Sequence, residues 1–209
     1  MKKLLVEFIG SLVISTVLVI AAMQNSWMEL SFAVGFVYMA MVYTGGHISG
    51  GHFNPAVSLA VFLRGRMSMR DLPGFVLVQF LGAALGAGLG SLCVTTKQST
   101  GIVLNADIVA AMATELLGTF VLCFVFLNVA SSRTTIGNSF YGLALGGMMV
   151  GCMLTFGKIS GGAFNPALGL SLGISNISGF GNIWVHWVAE VTGSVAAAFC
   201  FVFIHGKEN

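Results

Sequence analysis

Charge is what this chain has least of. Only 8% of its 209 residues are charged, and seven are Asp or Glu. A soluble domain carries about 25% charged residues, so so few acids exclude a soluble globular surface. A formal net charge of +2 is too small for a nucleic-acid partner. The four cysteines (93, 123, 152, 200) have no CxxC spacing and read as small buried apolar residues rather than a disulfide or metal set. There is no hydrophilic domain, low-complexity tail or long linker. No nucleophile–base pair or zinc ligand set is visible, which argues against an intramembrane enzyme, and nothing calls for a metal or a cofactor.

What remains is apolar: 56% of residues, with mean hydropathy +0.94. Six long apolar segments are expected to span a membrane, at about 4–23, 31–46, 73–94, 108–130, 138–156 and 182–204. The first resembles a signal peptide, but it holds Glu7 and is 20 residues long, so an uncleaved span is expected. Two shorter runs, 54–63 and 165–174, reach half a bilayer each. Lys2, Lys3, Arg64, Arg66, Arg70, Arg133 and Lys207 can share one side of such a bundle, leaving Lys97 and Lys158 on the other. By the positive-inside bias the first side is cytoplasmic, with both termini.

The chain repeats itself. "TGGHISGGHFNPA" (44–56) recurs as "TFGKISGGAFNPA" (155–167), with ten of 13 positions identical. "EFIGS" (7–11) answers "ELLGT" (115–119), and "QFLGAALGA" (79–87) answers "EVTGSVAAA" (190–198). The reading is one channel-like domain, with repeat one at about 1–97 and repeat two at about 105–209. Three full spans per repeat force the second copy to be inverted, which places a solute site near the midplane. The predicted fold is all-α: six transmembrane helices and two re-entrant half-helices in an inverted 3+3 repeat. The first half-helix enters from the cytoplasm, the second from outside.

Irregular backbone at membrane depth survives only when buried in protein or lining a watery cavity. Glycines 50, 51, 161 and 162 permit left-handed or extended backbone there. Asn54 and Asn165 fit the N-caps of the half-helices. Pro55 and Pro166 fit the first helical position, followed by Ala56 and Ala167. Each Asn is expected to cap through its oxygen and offer its amide to a pore.

These residues resemble the major intrinsic proteins, the aquaporins and aquaglyceroporins. The resemblance rests on "HISGGHFNPAV" (47–57), "ISGGAFNPA" (159–167) and the Glu-x-x-Gly pairs at Glu7 and Glu115. It implies a passive pore for water and small neutral solutes in a lipid bilayer, assembled as a homotetramer, with no cofactor. Glu7 and Glu115 would then brace the re-entrant loops. An outer constriction would form from Val34, Met153, Gly162 and Leu168. Family members commonly have Arg where this chain has Leu168, so strict water selectivity is not implied. A glycerol-, urea- or ammonia-type facilitator stays open. Glu190, where the family commonly has Pro, lies one turn from His186. An acid within a span is a functional hypothesis by default. Glu190, His186 and His47 are candidates for gating, with structural packing as the alternative; His47 and His52 are otherwise expected to pack within the loop. Glu190 and His186 are also the argument for a proton-coupled transporter. A non-conducting structural membrane protein is the remaining alternative.

Overall fold

A computed structural model describes residues 1–24, 26–95 and 107–206. Lys97 and Lys207, two of the charges weighed above, lie outside the described residues. Among the described residues every regular element is helical: α1 (Lys2–Gln24), α2 (Trp27–Ser49), α3 (Pro55–Leu63), α4 (Leu72–Cys93), α5 (Ile108–Phe126), α6 (Tyr141–Ser160), α7 (Pro166–Ile174) and α8 (Ile183–His205). A π-helical turn, Leu127–Ser131, extends α5. Six of these helices are long and apolar enough to cross a membrane. The other two have nine residues each.

Three boundaries differ from the sequence expectation for physical reasons. Helix α2 starts four residues early because Ser26 and Glu29 form a capping box: Glu29 Oε2 accepts from Ser26 N–H at 2.8 Å, satisfying a donor that the helix itself cannot. Helices α2 and α6 also run on to Ser49 and Ser160, past the expected ends at 46 and 156, and their last turns carry glycines. Those glycines serve packing. A Cβ on Gly157 would overlap the Trp27 ring, and one on Gly45 would sit 2.7 Å from Phe53 Cζ. His47 accordingly lies on the last turn of α2 and is exposed, not packed in a loop.

The packing has internal symmetry. α1 packs on α2 and α4 as α5 packs on α6 and α8; α4 contacts α7 as α8 contacts α3. Exchanging the first four helices with the last four returns the same set of contacts. The long helices approach backbone to backbone through small residues, as spans in lipid do. A Cβ on Gly82 would meet Phe8 O of α1, and one on Gly193, its counterpart, would meet Leu116 O of α5.

Candidate functional site

The centre is where α3 and α7 begin. Helix α2 ends at Gly50, with φ 100°, and Gly51 follows at 66°. Helix α6 ends the same way, at Gly161 (100°) and Gly162 (62°). These left-handed residues turn the chain back inward. Phe53 (φ 49°) and Phe164 (φ 46°) also hold positive φ, which is strained for an aromatic residue.

Two glutamates hold that strain. Glu7 Oε1 accepts from Ser49 Oγ (2.6 Å) and His52 N–H (3.0 Å), and its Oε2 accepts from Phe53 N–H (2.6 Å) and Gln79 Nε2 (2.8 Å). Glu115 Oε1 accepts from Ser160 Oγ (2.6 Å) and Ala163 N–H (3.1 Å), and its Oε2 from Phe164 N–H (2.8 Å). The glycine of each Glu-x-x-Gly pair has its own task. A Cβ on Gly10 would overlap the Phe53 ring, and one on Gly118 the Phe164 ring. Each pair thus grips one Phe, by backbone and by ring.

The Asn residues that follow do two jobs. Asn54 Oδ1 accepts from Ala56 N–H at 2.8 Å, and Asn165 Oδ1 from Ala167 N–H at 3.0 Å, with Pro55 and Pro166 opening the helices. Asn54 Nδ2 donates to Phe164 O at 2.9 Å, while Asn165 Nδ2 donates to Phe53 O at 3.0 Å. The repeats are therefore cross-linked reciprocally. An amide NH₂ has two hydrogens, so each Asn retains one beyond this bond.

Val34, Met153 and Leu168 belong to one buried apolar cluster. Met153 Cγ lies 3.5 Å from where a Gly162 Cβ would stand, so Met153 and Gly162 are neighbours. Trp27 Nε1 holds this segment by donating to Met153 O at 2.8 Å. One residue escaped the sequence reading. Tyr38, one turn beyond Val34, is 2% exposed, and its hydroxyl has no protein partner. The signal was a lone phenol on the helical face of Val34 and Val42.

His186 and Glu190 come to the same centre. Glu190 Oε1 accepts from Asn165 N–H at 3.0 Å. His186 Nδ1 stands 3.5 Å from Glu115 Oε1 and 3.7 Å from Glu190 Oε1, beyond hydrogen-bond range. His47 is elsewhere, beside Gly46, Ile136 and Tyr141 in a cavity of about 440 Å³. A neighbouring cavity of about 330 Å³ is lined by His52, Lys3, Arg66 and Asp71 among others.

The chain matches the model of the family "Major intrinsic protein" over residues 1–201. It is 38% identical to Aquaporin NIP1-1 of Zea mays over 184 residues, covering 87% of this chain and 64% of that protein. The chain thus spans just under two thirds of that relative's length. It is 32% identical to Nodulin-26 of Glycine max, over 96% of this chain and 77% of that protein. It is 32% identical to "Glycerol uptake facilitator protein-like 6" of Lactiplantibacillus plantarum, over 96% of each. In fold it is similar to the aquaglyceroporin from Plasmodium falciparum, with a TM-score of 0.79 and 21% identity, over 96% of this chain and 94% of that one. The six apolar helices, the paired half-length helices and the family match together make this chain a member of the major intrinsic protein family, built as an integral, multi-pass membrane protein.

Proposed function

We propose that the chain is a passive channel for water and small uncharged solutes, with Asn54 and Asn165 at the pore centre. The reciprocal bonding of these two amides carries the reading. It ties the N-terminal, positive ends of α3 and α7 to one point, and such ends disfavour cations. Pro55, Ala56, Pro166 and Ala167 start the half-helices. Glu7 and Glu115 support the loops by the bonds described. Val34, Met153, Gly162 and Leu168 form the outer constriction, and His47 stands at the inner mouth. Repeat one (about 1–97) and repeat two (about 105–209) make one channel domain, four of which assemble as a homotetramer.

The apolar constriction favours a facilitator of glycerol, urea or ammonia type over a strict water channel. Leu168 offers no donor where an Arg would give up to five, so polar solutes meet no fixed cation. The test is stopped-flow light scattering on proteoliposomes: shrinkage in an impermeant osmolyte, then re-swelling in glycerol or urea. Both rates should exceed those of empty liposomes. Rates equal to empty liposomes for every solute would sink the channel reading and leave a structural role.

A further inference from the structure

The two repeats differ at the polar support behind their half-helices. In repeat one, Gln79 Nε2 donates to Glu7 Oε2 and to Ser58 Oγ, and His52 Nδ1 lies 3.0 Å from the same Ser58 hydroxyl. At the corresponding positions repeat two has Glu190 for Gln79, Gly169 for Ser58, Ala163 for His52 and His186 for Phe75. The histidine has moved from the loop to the long helix. Gly169 makes room for it: a Cβ there would stand 2.9 Å from His186 Cβ. A neutral, bonded amide in one repeat is thus replaced by an acid and an imidazole in the other.

Glu115, His186 and Glu190 each offer an atom within 4.8 Å of the others, and all three side chains are fully buried. Neither ring nitrogen of His186 has a hydrogen-bond partner in the protein, nor has Glu190 Oε2. Glu115 and Cys123, both on α5, are the only titratable side chains on the helices packed against α8. α3, α7, the π turn Leu127–Ser131 and the 3₁₀ turn Phe180–Asn182 bring none, nor does the loop 161–165; Lys158 on α6 is exposed. Among these elements the imidazole is therefore the one group able to offset two carboxylates. With one proton the trio carries a net −1; a second proton makes it neutral. A lone buried charge is costly, so the site has a use for that proton. A metal ion fits less well. The Glu115 oxygen facing His186 already accepts from Ser160 Oγ and Ala163 N–H, which occupies both its lone pairs.

On the channel reading above, we infer that Glu115, His186 and Glu190 form a proton-binding site behind the start of α7, and that proton uptake slows permeation. The proton comes from the aqueous phase and settles between the open Oε2 of Glu190 and the ring of His186. The Glu190 carboxylate then loses its charge. Its bond from Asn165 N–H changes from charge-assisted to neutral, roughly half as strong. Asn165 is held by that bond, its cap, its link to Phe53 O and the Gly169 N–H on its own carbonyl; the Glu190 bond is the one of these that ends on an acid, so loosening it shifts the amide that solutes must pass.

The experiment pairs a flux assay with a spectroscopic one. Water flux is measured in proteoliposomes from about pH 5 to pH 8. Wild type should lose about threefold or more on acidification. Glu190→Gln gives repeat two the amide that repeat one already has, and its profile should be flat. Infrared difference spectra of the same samples should show a carboxyl carbonyl band appearing in acid, absent in Glu190→Gln, whether or not solute moves. A channel that conducts with no pH dependence overturns the inference, as does a wild-type profile in Glu190→Gln. So does a missing carboxyl band, or a stoichiometric divalent ion in the purified protein. An absence of flux at every pH with the band intact would instead count against the channel reading.

Discussion

Tyr38 is a phenol with no bonding partner in an otherwise apolar cluster. Leaving a buried hydroxyl unpaired costs about 1–3 kcal/mol, so keeping it asks for a compensating use. A donor one turn inside the Val34 level would serve a solute that finds none at Leu168. Tyr38→Phe removes one oxygen and keeps the ring. Its thermal stability should be unchanged or slightly higher, and glycerol or urea flux should fall relative to water flux; an unchanged flux ratio would remove Tyr38 from the pore wall. Leu168→Arg tests the opposite change, adding a cation and a rigid fork of donors. It should lower the solute-to-water ratio. A folded Leu168→Arg protein with an equal or higher ratio would show that the constriction lies elsewhere.

The half-helices show how much of the site was written in the sequence. Asn-Pro-Ala opening a short run, 54–63 or 165–174, gives the cap, the first helical residue and the length, because capping is local chemistry. The left-handed glycines were legible for the same reason. The crosswise bonds were not, since Asn54 and Phe164 are 110 residues apart and no local preference links them. Nor was the reason for glycine in Glu-x-x-Gly visible: the ring that fills its place is Phe53 or Phe164, on another element. That grip makes a prediction. Gly118→Ala should overpack the Phe164 ring at a cost of about 1–3 kcal/mol. It should lower the melting temperature in detergent, whereas Gly147→Ala, on a helix face where a Cβ meets nothing within 4 Å, should not. Asn165→Ala removes a cap worth about 1 kcal/mol and frees Phe53 O as well. Permeation should drop more than the melting temperature implies, as read by flux per folded channel.

At the scale of the whole molecule, charge sets direction. Lys3 and Arg66 line one cavity together. Arg64 Nη2 donates to Ser131 O at 2.6 Å, tying the end of α3 to the segment after α5. The adjoining cavity brings in His47 from the end of α2 and Tyr141 from the start of α6. The start of α1, the α3–α4 connection and the α5–α6 connection therefore gather at one end, and with them Lys2, Lys3, Arg64, Arg66, Arg70 and Arg133. Helix α6 leads away from that end, and its 20 residues cover about 30 Å, which carries Lys158 to the opposite face. Positive charge is retained on the cytoplasmic side of spans, so the cluster should face the cytoplasm, with α3 entering from that side and α7 from the other. Labelling in intact cells with a membrane-impermeant maleimide checks this, in a Cys93→Ser background because Cys93 is the exposed native thiol. Lys158→Cys should react at once, and Arg66→Cys only after the membrane is opened. The reverse pattern would invert the protein in its bilayer, and with it the assignment of Leu168 to the outer mouth.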